Sequence, residues 1–162
     1  MTIPNGKVRE IFTSPDKGLP MVSHPIILAL AGIGLEGDRY ALGKGRFQSL
    51  RSRQKIRHIT FIALEAILET NSKLSINFET SETRRNIVTQ DIDLNTLIDR
   101  EFRIGDALFK GTELCEPCPV PGSLTNKPGF KNAFNNRGGL RAEILESGLI
   151  TINSLIVVRE LC

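Results

Sequence analysis

The chain has 162 residues, 40% of them hydrophobic and 24% charged, which is the makeup of a globular protein with one core. That composition excludes a disordered tail, a collagen-like fibre and a polytopic membrane protein. A net charge of +3, no Trp and one Tyr supply little for gripping nucleic acid, so no nucleic-acid partner is expected. The three cysteines, at 115, 118 and 162, are odd in number and poorly spaced for a disulfide framework. The N-terminus lacks the charged and apolar regions of a secretory signal. The longest apolar run, Ile26 to Leu35, is broken by glycines and falls short of the ~20 residues that span a bilayer. The expectation is a soluble, cytoplasmic, single domain over residues 1–162 with no membrane partner.

In chain order, Lys7 to Phe12 and Ile26 to Leu30 read as strands. Gly32, Gly34 and Gly37 then mark a turn-rich stretch. Ala41 to Leu64 contains no acid but six basic residues, Lys44, Arg46, Arg51, Arg53, Lys55 and Arg57, which repel one another and favour a loop up to Ser52. Ile56 to Phe61 reads as a strand. Leu64, Ile67 and Leu68 stand at i, i+3, i+4 and predict a helix over 62–70, ended by Asn71 and Ser72. Short β-prone segments follow at Asn86–Thr89, Glu101–Ile104, Ala107–Lys110, Ala142–Leu145 and Leu155–Arg159, and Gly105-Asp106 marks a turn between two of them. Pro117, Pro119 and Pro121 preclude regular structure around the cysteines. Phe130 to Asn135 reads as a short helix. Regular alternation of strand and helix is missing, so a doubly wound parallel sheet is not expected. The pattern predicts a mostly β fold: a barrel-like, curled, largely antiparallel sheet with two or three peripheral helices.

The sharpest chemical feature is Cys115-Glu116-Pro117-Cys118. It supplies half of a four-ligand zinc site, but Cys162, His24 and His58 are scattered, which leaves a zinc-binding interaction domain as an alternative. A thioredoxin-like pair would open a helix in a βαβ setting, which the prolines oppose. A single thiolate that ligates a soft metal or carries sulfur fits the exposed proline loop. The plainest reading is two small buried residues on a turn. Arg84-Arg85-Asn86 sets planar guanidinium donors beside an amide, which suits a phosphate and a heterocycle edge. The basic run 44–57 is either a solvated stretch or a funnel for a phosphorylated ligand. In Gly37-Asp38-Arg39-Tyr40 the side chain of Asp38 is expected to accept backbone N–H bonds and Arg39 to reach a partner. The glycine spacing there does not open a helix, which disfavours a dinucleotide fold. His24 and His58 read as structural.

Taken in order, these stretches resemble the MOSC family, the domain found at the C-terminus of molybdenum cofactor sulfurases and in small stand-alone proteins. The resemblance spans about residues 20–158. It rests on Gly34-Leu35-Glu36-Gly37-Asp38-Arg39-Tyr40, on Ile59 to Glu65 as a strand followed by a helix bearing Glu, on Arg84-Arg85-Asn86-Ile87 followed by Asp93, Leu94 and Leu97, and on Phe102-Arg103-Ile104-Gly105-Asp106. The cysteine loop 115–118 and the stretch from Gly138 to Ile150 complete it. Tyr40 stands where the family usually has His, and Asn153-Ser154 where it often has Gly-Asp. The resemblance implies a protein that binds a molybdenum-pterin cofactor (molybdopterin) or handles sulfur for it. One such activity is the reduction of N-hydroxylated compounds with a redox partner protein; a non-catalytic sulfur carrier is the alternative. It implies Cys118 as the metal ligand and catalytic residue, with Cys115 as second choice. Asp38, Arg39, Arg84, Arg85 and Asn86 are the implied cofactor-binding residues.

Overall fold

The computed structural model describes residues 6–44, 58–75, 77–115 and 129–160. Strands run at β1 (Lys7–Thr13), β2 (Val22–Ser23), β3 (Ile26–Leu30), β4 (Gly34–Leu35), β5 (Ile59–Ala63) and β6 (Ile87–Gln90). They continue with β7 (Glu101–Ile104), β8 (Ala107–Leu114), β9 (Leu140–Glu146), β10 (Gly148–Thr151) and β11 (Ile156–Val158). One eight-stranded sheet has the order β11-β7-β8-β9-β5-β6-β1-β2, and β10-β3-β4 form a small second sheet. Every named pairing is antiparallel except β5–β6. The large sheet curls until the start of β1 meets the approach to β11. There Val8 N–H donates to Ser154 O at 3.0 Å, and Ile156 N–H to Gly6 O at 2.8 Å. That closure removes exposed edge along this seam.

The expected class holds in outline: mostly strand, in a curled sheet. The count of helices does not. Among the described residues, only α1 (Leu64–Leu74) exceeds one turn; Phe130–Ala133 is a single turn, and Thr80–Thr83 and Leu94–Leu97 are 3-10 turns. Asn136 at φ 62° and Gly139 at φ 106° stop the second helix from extending. The first helix passes Asn71 and Ser72 because Asn71 bonds outward instead of capping. Its amide donates to Phe78 O and accepts from Phe78 N–H, both at 2.9 Å, and pins the returning chain. The buried face is Ala66, Ile67 and Thr70, whereas Leu68 is exposed. Three short strands, β2, β4 and β10, escape the sequence pattern. The strand expected over 56–61 is found at 59–63, and positions 56 and 57 lie outside the described residues, as does most of the basic run. No helix among the described residues is long and apolar enough to cross a membrane.

The barrel interior is filled by alternate residues of each strand. Phe61, Phe102 and Phe109 form its centre: Phe61 meets the other two edge-on at 5.5 and 5.8 Å, and Phe102 stacks on Phe109 at 5.5 Å. Ile11, Ile59, Ile87, Leu140 and Ala142 surround them. A second, smaller cluster lies on the outer face of β5 and β6, where Phe12, Ile62, Ile67, Phe78, Val88 and Phe134 pack together. Between these two apolar layers, at one end of β5, runs a belt of buried polar side chains.

Candidate functional site

The belt starts at Thr60, whose neighbours Ile59 and Phe61 point inward while it points out. Thr60 N–H and hydroxyl both donate to Asn86 Oδ1, at 3.0 and 3.2 Å, and the hydroxyl accepts from Asn86 N–H at 3.1 Å. Asn86 Nδ2 donates to Phe12 O at 3.1 Å. Both ends of that amide are therefore bonded, and Asn86 is wholly buried. It ties β1, β5 and β6 together.

Arg84 lies one side of this tie. It follows the 3-10 turn 80–83 in the left-handed region, at φ 61°. Its Nη1 and Nη2 donate to the carbonyls of Leu19 and Lys17, at 2.7 and 3.1 Å. Its own carbonyl accepts from Arg39 Nη2 at 3.0 Å. Asp38 is fully buried: Oδ1 accepts from Ser14 N–H at 3.0 Å and faces Arg39 Nη1 at 3.2 Å, and Oδ2 accepts from Tyr40 N–H at 3.3 Å. Asp38 thus takes the backbone bonds expected of it, and Arg39 reaches the distant Arg84 carbonyl as well as its neighbour Asp38. The Arg39 guanidinium also lies over the Tyr40 ring, 4.6 Å from its centre.

Arg85 differs from these. Its side chain is buried, with 8% of the residue exposed, and Nε donates to Gly138 O at 2.7 Å. Nη2 is buried with no hydrogen-bond partner. The adjoining carbonyl, Gly139 O, accepts from Cys115 N–H at 2.7 Å. The turn at 138–139 therefore holds Arg85 on one residue and the root of the cysteine loop on the next. A Cβ at Gly139 would stand 1.8 Å from Phe61 O, so no side chain fits there.

Cys115 is a free thiol, 2% exposed. Beside it is Arg141, absent from the candidates drawn from sequence. Arg141 pairs with Glu113 at 3.1 Å and lies opposite Thr60 in the β5–β9 register. Burial pulls the pKa of Arg141 down, but its electrostatic interactions with Cys115, Tyr40 and Glu113, with a bond to the Cys115 side chain, outweigh it and hold the guanidinium above its ordinary value. Arg141 thus stays a cation where a thiol and a phenol converge. The visible clue was its place in Gly139-Leu140-Arg141-Ala142: alternation puts 140 and 142 in the core and 141 on the outer wall.

Asp38, Arg39, Arg84, Arg85 and Asn86 are therefore brought together, and Cys115 adjoins them through the 138–139 turn. Cys118 lies outside the described residues. His58 stands apart: its Nδ1 accepts from Ile144 N–H at 3.0 Å, and burial lowers its pKa despite the opposing pull of Glu143. His24 Nε2 bonds Thr13 Oγ1 at 2.6 Å. Among the described residues no three His, Cys, Asp or Glu side chains are placed to hold a metal ion. A cationic wall with one open donor beside a soft thiol suits an anionic ligand that also seeks sulfur.

Comparison with known folds agrees with this architecture. The YuaD protein from Bacillus subtilis superposes with a TM-score of 0.81 at 16% identity, over 100% of this chain and 98% of that one. YiiM from Escherichia coli gives 0.65 at 17% identity, over 100% and 71%. YiiM from Geobacillus stearothermophilus gives 0.65 at 11%, over 99% and 76%. At such identities the likeness is one of fold. No curated protein matches the sequence. The MOSC domain model, however, matches residues 54–156, well over half of the chain. The match takes in Arg84-Arg85-Asn86, the cysteine loop and Arg141, and the chain belongs to the MOSC domain family.

Proposed function

We propose that this protein binds a molybdenum-pterin cofactor through its cysteine loop, with Cys118 as the thiolate that holds the metal. The observation that carries the reading is the setting of that loop's root. Cys115 is fastened to Gly139 beside Arg141, and the preceding glycine holds Arg85, whose buried Nη2 has no partner. The donor set fits a phosphorylated group bearing a soft metal, since guanidinium forks match phosphate and thiolate matches molybdenum. Asp38, Arg39, Arg84, Arg85 and Asn86 line the pterin side. When bound, the metal supplies two-electron oxidation and reduction, and reduction of N-hydroxylated compounds with a redox partner protein is the activity proposed. The chain's own residues orient the cofactor and shield the sulfur. Residues 1–162 act as one domain, in a reducing compartment such as the cytoplasm.

The test is metal retention. Protein mixed with molybdenum cofactor and desalted is expected to keep stoichiometric molybdenum, and Cys118→Ala to lose it. Equal retention by both removes the ligand assignment. A second reading, a sulfur carrier without turnover, draws on the same thiol setting. Cyanide-labile sulfur on Cys118, with no reduction of an N-hydroxylated base, favours the carrier; reduction that depends on Cys118 favours the enzyme. Zinc in the protein as isolated, at one atom per chain, would favour an interaction domain instead.

A further inference from the structure

A second feature lies at the opposite end of β5 from the polar belt. Of the named strand pairings only β5–β6 is parallel, and α1 connects the two strands. Such a unit leaves a crevice outside the carboxyl ends of its strands, next to the start of its helix. Here the crevice is a cleft of about 200 Å³. Its apolar lining is Ala63, Ala66, Ile92 and Leu94, of which Ala66 and Leu94 are buried. Pockets for drug-sized ligands run to about 300–1,000 Å³, so this one fits a single ring or a short chain.

The polar groups of the cleft are only half engaged. Glu65 Oε2 accepts from Asp91 N–H at 2.7 Å, and Asp93 Oδ1 accepts from Asn95 N–H at 3.1 Å. Each carboxylate is thereby fixed through one oxygen, and the other oxygen has no partner among the described residues. The side-chain amides of Asn95 and Asn136, which also line the cleft, make no hydrogen bond among the described residues. Arg137 is the one cation of the lining, and Glu69 takes its Nη2 while pairing with Lys73 at 2.7 Å. The partial positive charge at the start of α1 is answered by Glu65 in its first turn. Glu65 and Asp93 themselves have no ion-pair partner among the described residues. The cleft therefore joins an apolar lining to a rim that is negative and accepts hydrogen bonds.

We infer that this cleft binds a small organic cation with an apolar body, an amidinium or a primary ammonium. Glu65 and Asp93 accept its N–H groups through their unengaged oxygens, the carboxamides of Asn95 and Asn136 accept those left over, and the lining covers its hydrocarbon. A metal ion is a poor match: half of the lining is hydrocarbon, and among the described residues no three His, Cys, Asp or Glu side chains are placed to hold one. The cleft is distinct from the cysteine loop but shares a turn with it. Asn136, Arg137 and Gly139 line the cleft, while the carbonyls of Gly138 and Gly139 hold Arg85 and Cys115. The inference stands on the cleft alone and does not require the cofactor reading.

The experiment titrates the purified full-length chain with benzamidine, and with benzamide and benzoate as its neutral and anionic counterparts, followed by amide chemical shifts and by calorimetry. Benzamidine is expected to bind, less tightly as salt rises. Benzamide is expected to bind at least about five-fold more weakly, and benzoate more weakly still. The shifts of wild type with benzamidine should centre on residues 63–66, 92–95 and 136–139. Glu65→Gln and Asp93→Asn remove charge while their side-chain carbonyls can still accept from the Asp91 and Asn95 amides. Each is expected to melt within a few degrees of wild type and to weaken benzamidine about five-fold. Glu146→Gln, which alters an exposed acid paired with Arg103, should leave it unchanged. Molybdenum retention by Glu65→Gln is expected to equal that of wild type, so a failure of the cofactor reading leaves this result standing. Absence of benzamidine binding by wild type overturns the proposal. So does benzoate binding as tight as that of benzamidine, undiminished binding by both variants, or shifts centred outside the cleft.

Discussion

Along β5, Ile59 and Phe61 enter the barrel interior, where their neighbours are carbon on every side, while Thr60 between them turns outward into a web of named hydrogen bonds. The inner face of this five-residue strand and the Thr60 end of its outer face are held by different physics; farther along, Ile62 joins the outer apolar cluster. Inside, contacts are many, individually weak and non-directional, so a lost methylene costs about 1 kcal/mol and the neighbours partly adjust. Outside, bonds are few and directional, and removing one partner strands another in a dry place. The inner face specifies that there is a barrel. The outer face specifies where its arginines point.

Gly139 joins the two faces, and the largest effect is expected there. Its carbonyl holds Cys115, its predecessor holds Arg85, and its Cα is pressed against Phe61 O at a φ of 106°. Gly139→Ala collides with a backbone atom that cannot rotate away and also suffers the left-handed penalty. The expected loss exceeds about 4 kcal/mol, with little folded protein by circular dichroism. A variant that melts within a few degrees of wild type would mean that β5 and β9 can slide apart without cost, and that the turn does not set the site.

Next in size, the comparison predicts two losses of similar magnitude with unequal consequences. Phe109→Ala empties part of the interior and is expected to cost about 3–5 kcal/mol. Asn86→Ala leaves Thr60 N–H and Phe12 O without their buried partners, and is expected to cost about 2–4 kcal/mol. Urea titration measures both. At temperatures where each remains folded, only Asn86→Ala is expected to lose retention of the molybdenum cofactor, because only it unties the backbone beside Arg85. Equal loss in both variants would show that the belt has no local role and that the site simply follows global stability.

These differences also explain what could be read from the residues alone. Strands such as 101–104 and the β-prone segment at 107–110 were legible because alternation of Phe102 and Ile104 with charged residues is a local signal. Arg84, Arg85 and Asn86 were legible as a polar cluster, but their separate roles were not. Arg84 spends both Nη atoms on Leu19 and Lys17, more than sixty positions away, and Arg85 keeps one unspent. Nothing at positions 84 or 85 themselves encodes that difference; it depends on which distant carbonyls the fold delivers. Arg141 was missed for the same reason, since its partners Glu113 and Cys115, at the end of β8, and Tyr40 arrive from two other segments. The strands β2 and β4 were missed because two residues are too few to show a period, and β10 because Gly148-Leu149-Ile150-Thr151 does not alternate.

The smallest predicted effect lies where the outer face is half wet. His58 begins the approach to β5, and its Nδ1 accepts the amide of Ile144, which requires the proton to sit on Nε2. Burial lowers its pKa below the ordinary 6.5, against the opposing pull of Glu143. The unfolded chain therefore takes up a proton at a higher pH than the folded one. Stability is retained above about pH 6.5 and declines as the pH falls from there toward the lowered folded value. Solvent screens a half-exposed ring, so the decline from this residue is expected to stay below about 1 kcal/mol. His58→Gln removes the titration while its side-chain carbonyl can still accept from Ile144. The melting temperature of that variant between pH 7 and 5 should fall less than that of wild type. Parallel curves would mean that His58 binds its proton equally in both states, and that the Ile144 bond does not discriminate between them.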